Sequence, residues 1–339
     1  MSTGAVGHIG INKEQSWGVA NTTSMYFAAG MSESIATDID RYEYKEIHAS
    51  ITEQDDLRGL HNVQGTLVLP MFPQTTWHVI KGLMMTQSNY QVTAVDSLWT
   101  AIYTSPNGAY SAITPRPAHT IEIYRDVTSS HQYTGSIFTR ADIKVEVNQP
   151  AIMGVNILGK QSNIASKSVP YYSNDLKPLA FDTCSISISG VGVDLLESFT
   201  LSIDNNMIAI TALNNSNLIA GVAQSDTQTI RFNGVVDFAN LTEYNKFVNQ
   251  TEQSFSFSMK QIAPNISQII VDMPRVLYTK FEPKMANRGR IMAEMEGFAK
   301  YHAGSATAIR ITVYSQNDYG FLILGHPVYG ILGSRTLWG

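Results

Sequence analysis

Histidine is the residue type in this chain that is best suited to acid–base catalysis or metal binding. The eight histidines are His8, His48, His61, His78, His119, His131, His302 and His326. None of them forms a His-x-His or His-Glu-x-x-His pair, and none stands near a cluster of Asp, Glu or Cys at the spacing that metal ligands require. We therefore interpret them as scattered strand or surface residues, and we expect neither a metal site nor a cofactor.

Three other sets of residues resemble catalytic motifs without meeting their requirements. Asp55 and Asp56 are adjacent in a polar turn, and adjacent side chains on a strand point apart and cannot share an acid–base site. Ser189–Gly192 lacks the third glycine and the following helix of a dinucleotide-binding loop. Cys184 lies in a strand-like segment and is expected to be a buried thiol. The sequence also has no Gly-x-Ser-x-Gly or Walker motif, so we predict that the protein is not an enzyme. A hydrolase without a recognisable motif is a minor alternative.

The composition favours a protein that associates with itself. Of the 339 residues, 15% are charged, against roughly 25% in a typical soluble domain. A surface with so few charges has little protection against self-association. The net charge of −5 argues against a surface that neutralises nucleic acid.

The chain is predicted to fold in a reducing cytoplasm. A single cysteine excludes an internal disulfide, and we identify no signal-peptide pattern. No apolar run approaches the ~20 residues of a membrane span, so we expect no membrane insertion.

Strands dominate the elements that the sequence predicts, because apolar and polar residues alternate along many segments. The clearest examples are His119–Tyr124, Ser185–Ser189, Ser254–Met259 and Ala308–Val313. Such alternation is typical of antiparallel strands with one face on a core. We predict a mainly β protein made of antiparallel sandwich-like or barrel-like units.

Two short segments repeat apolar residues at helical spacing instead. They are Gln74–Met85, with Trp77, Ile80 and Met84 on one stripe, and Leu241–Asn249, with Tyr244, Phe247 and Val248 together. Each half of the chain is therefore predicted to carry one helix that packs on its sheet.

An eight-residue pattern occurs twice in the chain. Glu33–Asp40 comes back as Glu197–Asp204 with identical Glu, Ser, Ile and Asp, and the segments that start at Gly65 and Gly234 match downstream. We predict two tandem copies of one structural unit. The first domain is placed at residues 1–170, with a long inserted loop at 87–118, and the second at residues 171–316. A C-terminal arm follows at 317–339.

The sequence resembles the tail tube proteins of long-tailed bacteriophages. The segments that carry the resemblance are the leader Ile9–Ala20, the first strand region Ser34–Ile47, and Ile230–Gly234, Ile269–Pro274 and Gly289–Gly297 in the second half. The resemblance implies stacked rings around a channel that a sheet lines and a helix flanks. Single-domain members form hexameric rings, so a two-domain chain is expected to form a homotrimeric ring with pseudo-sixfold symmetry.

The resemblance also implies a place and a set of partners. We expect assembly in the host cytoplasm and a final location in the virion tail, of the non-contractile kind. The partners are expected to be further copies of the chain and the tape-measure, tail-tip and tail-terminator proteins. DNA is expected to pass through the lumen without specific binding.

The repeated octets supply the predicted channel wall. One face of each is apolar and is predicted to pack on the core, with Ile35 and Ile39 in the first copy and Phe199 and Ile203 in the second. The other face is small, polar and acidic, and the predicted lumen-facing residues are Asp38, Asp40, Thr200, Ser202 and Asp204. Because Ser202 replaces Asp38, the wall is expected to alternate between more and less acidic strands. An ordinary solvent-facing strand is an equal alternative on pattern alone.

Apolar and aromatic residues outside the repeat are predicted to make contacts between rings or subunits. They are Trp99, Tyr103 and Tyr110 in the inserted loop, and Leu337 and Trp338 in the C-terminal arm. In the alternative function, a β-sandwich carbohydrate-binding, adhesion or decoration protein of a virion, the three loop aromatics would form a binding platform. We favour a major tail tube protein that assembles into rings for DNA delivery.

Overall fold

The computed structural model describes residues 6–23, 25–43, 52, 56–84, 90–95, 98–105, 116–172, 177–193, 196–238, 241–261, 267–285 and 290–315. Tyr110, Leu337, Trp338, the C-terminal arm and parts of the inserted loop lie outside the described residues. No helix in the described part of the chain is long and apolar enough to cross a membrane.

The described chain consists mainly of strands of different lengths, with one α-helix in each half. The first half contains β1 (His8–Lys13), β2 (Tyr26–Ala28), β3 (Ser32–Glu33), β4 (Ala36–Tyr42), β5 (Leu57–Pro70), α1 (Pro73–Met84), β6 (Tyr90–Val95), β7 (Leu98–Thr104), β8 (His119–Tyr124), β9 (Ser130–Glu146), β10 (Ile152–Gly159) and β11 (Gln161–Ala165). The second contains β12 (Cys184–Ile188), β13 (Val191–Gly192), β14 (Leu196–Asp204), β15 (Met207–Ile210), β16 (Gly221–Gln224), β17 (Thr229–Asp237), α2 (Thr242–Val248), β18 (Gln253–Lys260), β19 (Gln268–Lys284), β20 (Met292–Ala299) and β21 (Arg310–Ser315). A 3-10 turn, Phe181–Thr183, precedes β12.

Eight strands form one continuous antiparallel sheet, the main sheet. Their order is β4–β5–β10–β9–β14–β17–β20–β19, and β3 pairs with β5 beside β4. The two halves of the chain meet where β9 pairs with β14, from Glu146 opposite Ser198 to Arg140 opposite Asp204. The halves therefore share one sheet.

A second layer covers one face of the main sheet, and the core lies between them. Two strands, β9 and β19, are each 17 residues long and belong to both layers. The first part of β9 pairs with β8 and β11, and the first part of β19 pairs with β18 and β21. The later part of each strand joins the main sheet, just past an irregularity at Thr139 in β9 and at Thr279 in β19.

The same pairing pattern occurs in both halves. β4–β5–β10–β9 in the first half has the same order and directions as β14–β17–β20–β19 in the second, and a helix follows β5 and β17 alike. The predicted fold class is confirmed: the protein is mainly β and antiparallel, with one helix in each half. The domain limits stay a prediction, because backbone pairing of β9 with β14 crosses the proposed boundary.

The pairing register shifts the repeat by two residues from the sequence match. In the first repeat, the row of paired residues that starts next to the irregularity at Thr139 reaches Thr66 and then Ser34. In the second repeat, the corresponding row that starts next to Thr279 reaches Asn233 and then Thr200. Ser34 is thus equivalent to Thr200, and not to Ser198 as the octets suggest. A shift of two keeps every side chain on the same face of a strand, so the assignment of faces is unaffected.

The apolar faces pack as expected in the second copy of the repeat but not in all of the first. Phe199 and Ile203 are each 1% exposed and Ile35 is 2% exposed, whereas Ile39 is 45% exposed. The prediction for Ile39 is wrong because β10 ends opposite Val63, so β4 and β5 run past β10 at that point, where His61 bridges Leu218 but the side chain of Ile39 stays exposed.

The two predicted helices are confirmed, with one error in their faces. Trp77, Ile80 and Met84 of α1 are at most 3% exposed. In α2, Tyr244 and Phe247 pack against the core, but Val248 is 57% exposed. The helix has only seven residues, and Val248 is its last, so no further turn extends the apolar stripe past it.

A buried histidine lies beneath α1 among cationic side chains. The ring of His119 packs on that of Phe138, with 4.7 Å between centroids. Burial, together with the nearby charges of Lys13 and Lys81, lowers the pKa of His119 to about 3. The imidazole is therefore neutral in the folded protein at neutral pH.

We expect the free energy of unfolding to fall as the pH drops from about 6.5 towards 3. The pKa of His119 lies near 3 in the folded chain and near ~6.5 in the unfolded chain, so the unfolded state binds the proton first. His119→Gln should reduce this loss by on the order of 4 kcal/mol across that range, measured by urea unfolding at several pH values. His302→Gln, at an exposed histidine, is the control and should leave the slope unchanged. Equal slopes for His119→Gln and the unsubstituted protein would contradict the buried neutral imidazole.

Candidate functional site

The face of the main sheet that points away from the second layer is polar across both halves. We call it the polar sheet face. It is formed by alternate residues of the eight strands, and its central members are Asn156, Arg140, Asp142, Lys144, Thr200, Ser202, Asp204, Arg231, Asn233, Glu294, Glu296 and Lys280. The residues between them point inward and are buried, as on β14 and β10.

Four of the five residues predicted to face a lumen lie on this face. Thr200, Ser202 and Asp204 are half-buried on the central strand β14. Asp38 lies on the outer strand β4, opposite Asn62, and is exposed. Asp40 falls at the register irregularity between Ile39 and Arg41, in the part of β4 that projects beyond the sheet. The structure thus places the acidic residues of the two repeats on different strands, with β5, β10 and β9 between them.

Basic side chains lie among the acidic ones at the centre of the face. Arg140 contacts both carboxylate oxygens of Asp142 at 2.9 to 3.1 Å, and Ser202 donates a hydrogen bond to Asp142. The hydrogen bond with Asp142 raises the pKa of Arg140, and the nearby Asp204 raises it further. The face is therefore a mosaic of both signs, and not uniformly acidic.

A second group of ion pairs lies on the strands of the other repeat. Lys280 stands 3.5 Å from Glu282, 3.1 Å from Glu294 and 3.5 Å from Glu296. Lys284 contacts Glu294 at 2.6 Å. These side chains are partly exposed, so solvent screens each pair and its contribution to stability is small. They place opposite charges side by side on this part of the polar sheet face.

The sequence contains a signal for this mosaic of charges. From Arg140 to Glu146, charged residues of alternating sign take every second position, with Ala141, Ile143 and Val145 between them. Such a segment predicts a strand with a charged outer face. What the segment could not show is that β14 pairs beside it and brings Asp142 to Ser202.

The polar sheet face forms a wide trough and not an enclosed pocket. A depression of about 1090 Å³ lies at one end of it, with Asp204, Arg231, Lys280 and Phe298 among its lining residues. Ser202 also lines it and donates to Asp142, whose carboxylate is paired with Arg140. No group of three or more His, Cys, Asp or Glu in the described part of the chain could hold a metal ion. The arrangement suits a hydrated surface that another molecule slides over or covers.

The main sheet ends at both sides in a strand that pairs only once. On one side β4 pairs with β5, and on the other residues 277–284 of β19 pair with β20; among the described strands nothing pairs with their outer edges. Unpaired backbone groups along a strand edge are a template for another strand. Both edges are therefore candidate assembly surfaces.

An ion pair fixes the start of the first edge. Arg125 contacts the two carboxylate oxygens of Glu33 at 2.6 and 2.8 Å and donates to the carbonyl of Ile35 at 3.1 Å. Tyr133 also donates to that carbonyl, at 3.0 Å. The hydrogen bonds with Glu33 raise the pKa of Arg125. This group, the edge clamp, holds β3 and the first residues of β4 against the second layer.

The contact residues predicted in the inserted loop are only partly described. Tyr103 is fully buried, 6.4 Å from Trp77 between ring centroids, in a strand that pairs with β6 and β21. Its side chain therefore belongs to the core and leaves no surface for a neighbouring subunit, which corrects the prediction for this residue. The side chain of Trp99 lies outside the described part of the structure.

Comparison with models of protein families identifies a match. A family model described as "Phage tail tube protein" matches residues 4–299. No curated protein matches the sequence.

We expect the edge clamp to contribute measurably to stability. Arg125→Gln removes a bidentate, partly buried ion pair and should lower the free energy of unfolding by about 1–2 kcal/mol, measured by denaturant unfolding. Arg290→Gln breaks a more exposed pair with Glu197 and should cost less than about 0.5 kcal/mol. Amide exchange at β3 should accelerate only in Arg125→Gln. Equal effects of the two substitutions would show that the clamp does not hold the edge.

Proposed function

Since the chain belongs to the phage tail tube protein family, and is thus a structural protein of the virion tail, we propose that its copies assemble into stacked rings around a channel for DNA. The polar sheet face would line the channel, and the two open edges of the main sheet would join neighbouring copies. The C-terminal arm and the inserted loop stay candidates for contacts between rings. The domains are proposed at residues 1–170 and 171–316.

The pairing of β9 with β14 is the observation that carries this proposal. It joins the last strand of the first repeat to the first strand of the second. The last strand of the second repeat is β19 and the first strand of the first is β4, and both have open outer edges among the described strands. The junction inside the chain is therefore a template for a junction between chains.

The template specifies the register between two copies. Counting along the strands from the irregularities at Thr139 and Thr279 makes Lys280 equivalent to Arg140. Counting across the sheets makes Asp38 equivalent to Asp204. Because Arg140 stands opposite Asp204 within the chain, Lys280 of one copy would stand opposite Asp38 of the next.

We propose that three chains close the ring. Each chain would supply two repeats, so a trimer has the six units that the family resemblance implies for rings of single-domain members. A closed ring leaves no sheet edge exposed, which removes the aggregation hazard of an open sheet. Tape-measure, tail-tip and tail-terminator proteins are the further partners that membership of the family suggests, with assembly in the host cytoplasm.

The charge mosaic suits a channel for an anionic polymer. A wall rich in lysine and arginine would bind phosphates and release counterions, which slows movement along it. Basic residues on the polar sheet face form ion pairs with the neighbouring carboxylates of Asp142, Glu294 and Glu296. Mixed charges of this kind would let DNA pass without holding it. The sequence led us to expect that more acidic and less acidic strands alternate around the wall. We propose instead that two repeats, each with mixed charges, alternate around it.

The carbohydrate-binding alternative has little support in the structure. Its platform requires three exposed aromatic rings, and Tyr103 is buried in the core.

Cross-linking across the proposed junction tests the ring and its register together. In a Cys184→Ser background, Asp38→Cys with Lys280→Cys should be joined by a short thiol cross-linker in assembled protein. Denaturing gels should then show a ladder that ends at three chains, because a closed trimer offers no further site. Arg140→Cys with Asp204→Cys reproduces the same geometry within the chain and is the positive control.

Each other outcome of that experiment contradicts one part of the proposal. A ladder that ends at another number overturns the trimer. Efficient linking of Lys280→Cys with Ala36→Cys, two positions away, in place of Asp38→Cys overturns the register. Electron micrographs that show neither rings nor tubes overturn assembly itself.

Adding positive charge to the centre of the polar sheet face should slow DNA delivery without preventing assembly. Ser202→Lys and Asn233→Lys each place a lysine opposite an acidic residue, Asp142 and Glu296 respectively, and both lie away from the open edges. Phages that carry both should form normal tails but deliver DNA about tenfold less efficiently or worse.

The matched control adds two lysines to exposed positions of the second layer, Asn163→Lys and Ser254→Lys. Its infectivity should stay close to that of the parent phage. Equal infectivity of both variants would contradict a channel role for the polar sheet face.

A further inference from the structure

One end of the main sheet projects as a hairpin, which the rest of the described chain joins by backbone pairing at His61, whose N–H donates to the carbonyl of Asn217 and which bridges Leu218. The projecting hairpin comprises residues 39–43 of β4 and its end, and residues 56–62 around the start of β5. Tyr42 stands opposite Leu57, and the two are 60% and 58% exposed. Ile39 is 45% exposed. Apolar side chains this exposed on both faces of a hairpin are typical of a contact surface.

The charges of the projecting hairpin are unfavourable in a single copy of the protein. Arg41 stands directly opposite Arg58, and both are exposed. Arg41 lies 3.8 Å from Asp56, whereas Arg58 makes no ion pair within the described part of the chain. Like charges directly opposite each other destabilise a strand pair. An acidic partner would relieve this repulsion.

A groove with the complementary character lies at the opposite end of the sheet. It has a volume of about 440 Å³, and Val147, Phe181 and Leu196 are among its apolar lining residues. Its acidic lining residues are Glu146, Asp182 and Glu197. We call it the acidic groove. It sits where β9 ends and β14 begins, whereas the projecting hairpin lies past the other end of the same strands.

One acidic residue of the groove is available to a partner. Glu146 pairs with Lys144 at 2.8 Å and Glu197 with Arg290 at 3.1 Å. Asp182 is exposed and makes no ion pair within the described residues. Within the described residues, Arg58 at one end of the sheet and Asp182 at the other thus make no ion pair.

We propose that the projecting hairpin of one copy docks in the acidic groove of a second copy in the adjacent ring, with Arg58 against Asp182. This inference rests on the proposed function, because it takes the two ends of the sheet to face neighbouring rings. A surface at one end that fits a different surface at the other makes a head-to-tail contact, which repeats without limit and builds a tube. Burial of Tyr42 and Leu57 supplies the apolar part of the contact, and the charge pair fixes its direction.

Charge reversal of the two residues in the full chain tests the contact. Arg58→Asp should fold normally, because it replaces a like-charged strand pair with an opposite one, and should form rings that do not stack. Asp182→Arg should give the same result. The double variant Arg58→Asp with Asp182→Arg restores opposite charges and should recover tubes at least tenfold more efficiently than either single variant, scored by electron microscopy and sedimentation.

The controls separate this inference from the proposed function. Lys260→Asp reverses an exposed charge in the second layer and should leave stacking unchanged. Tubes formed equally well by Arg58→Asp and the parent chain would overturn the contact while leaving the rings intact. Absence of rings in the parent chain would overturn the proposed function. Single variants that stack normally but lose nuclease protection of packaged DNA would assign the arginine pair to nucleic acid and overturn the docking proposal.

Discussion

The backbone pairing of β9 with β14 is the interaction on which the rest of the structure depends. A strand edge carries unpaired N–H and C=O groups, and leaving them unpaired in a protein interior is costly. In this chain the first repeat ends in such an edge and the second begins with one, and the two satisfy each other over seven residue pairs. The sheet becomes continuous, and the polar sheet face extends across both repeats. At the two outer edges the backbone N–H and C=O groups have no partner among the described strands, which favours association with another copy.

A second constraint allows the sheet to be continuous and still have a core. Each of the two longest strands must leave the second layer and enter the main sheet, and in β9 a glycine allows this. Gly135 has a φ of 66°, and a side chain there would come within 2.7 Å of Lys160. Its N–H donates to Glu14, whose carboxylate also accepts from Gly18 and Thr120. Burial raises the pKa of Glu14, and these hydrogen bonds oppose that effect. The bend is thus held by local geometry and by a buried acceptor.

Charged and titratable groups have different roles on the surface and in the interior of the molecule. On the polar sheet face the ion pairs are exposed and contribute little to stability, but they set the electrostatic character of a large surface. Beneath α1 burial keeps His119 neutral, so that region depends on pH in a way that the surface does not. At the two ends of the sheet Arg58 and Asp182 have no internal partner among the described residues, so their charges are available to other molecules.

The sequence by itself determined most of the elements and the general direction of their side chains. Period-two alternation identified the strands, helical spacing identified α1 and α2, and the repeated octet identified a duplication, because side-chain direction follows from local periodicity. Only the tertiary structure decided which strands pair, since pairing joins residues that are distant in the chain, such as Arg140 and Asp204. That pairing set the two-residue shift of the repeat and placed basic residues among the predicted acidic ones. The tertiary structure also decided which side chains are buried. Tyr103 is buried because its strand lies between two others, whereas Ile39 is exposed because its strand runs past β10. The residues next to them in the sequence do not predict either outcome.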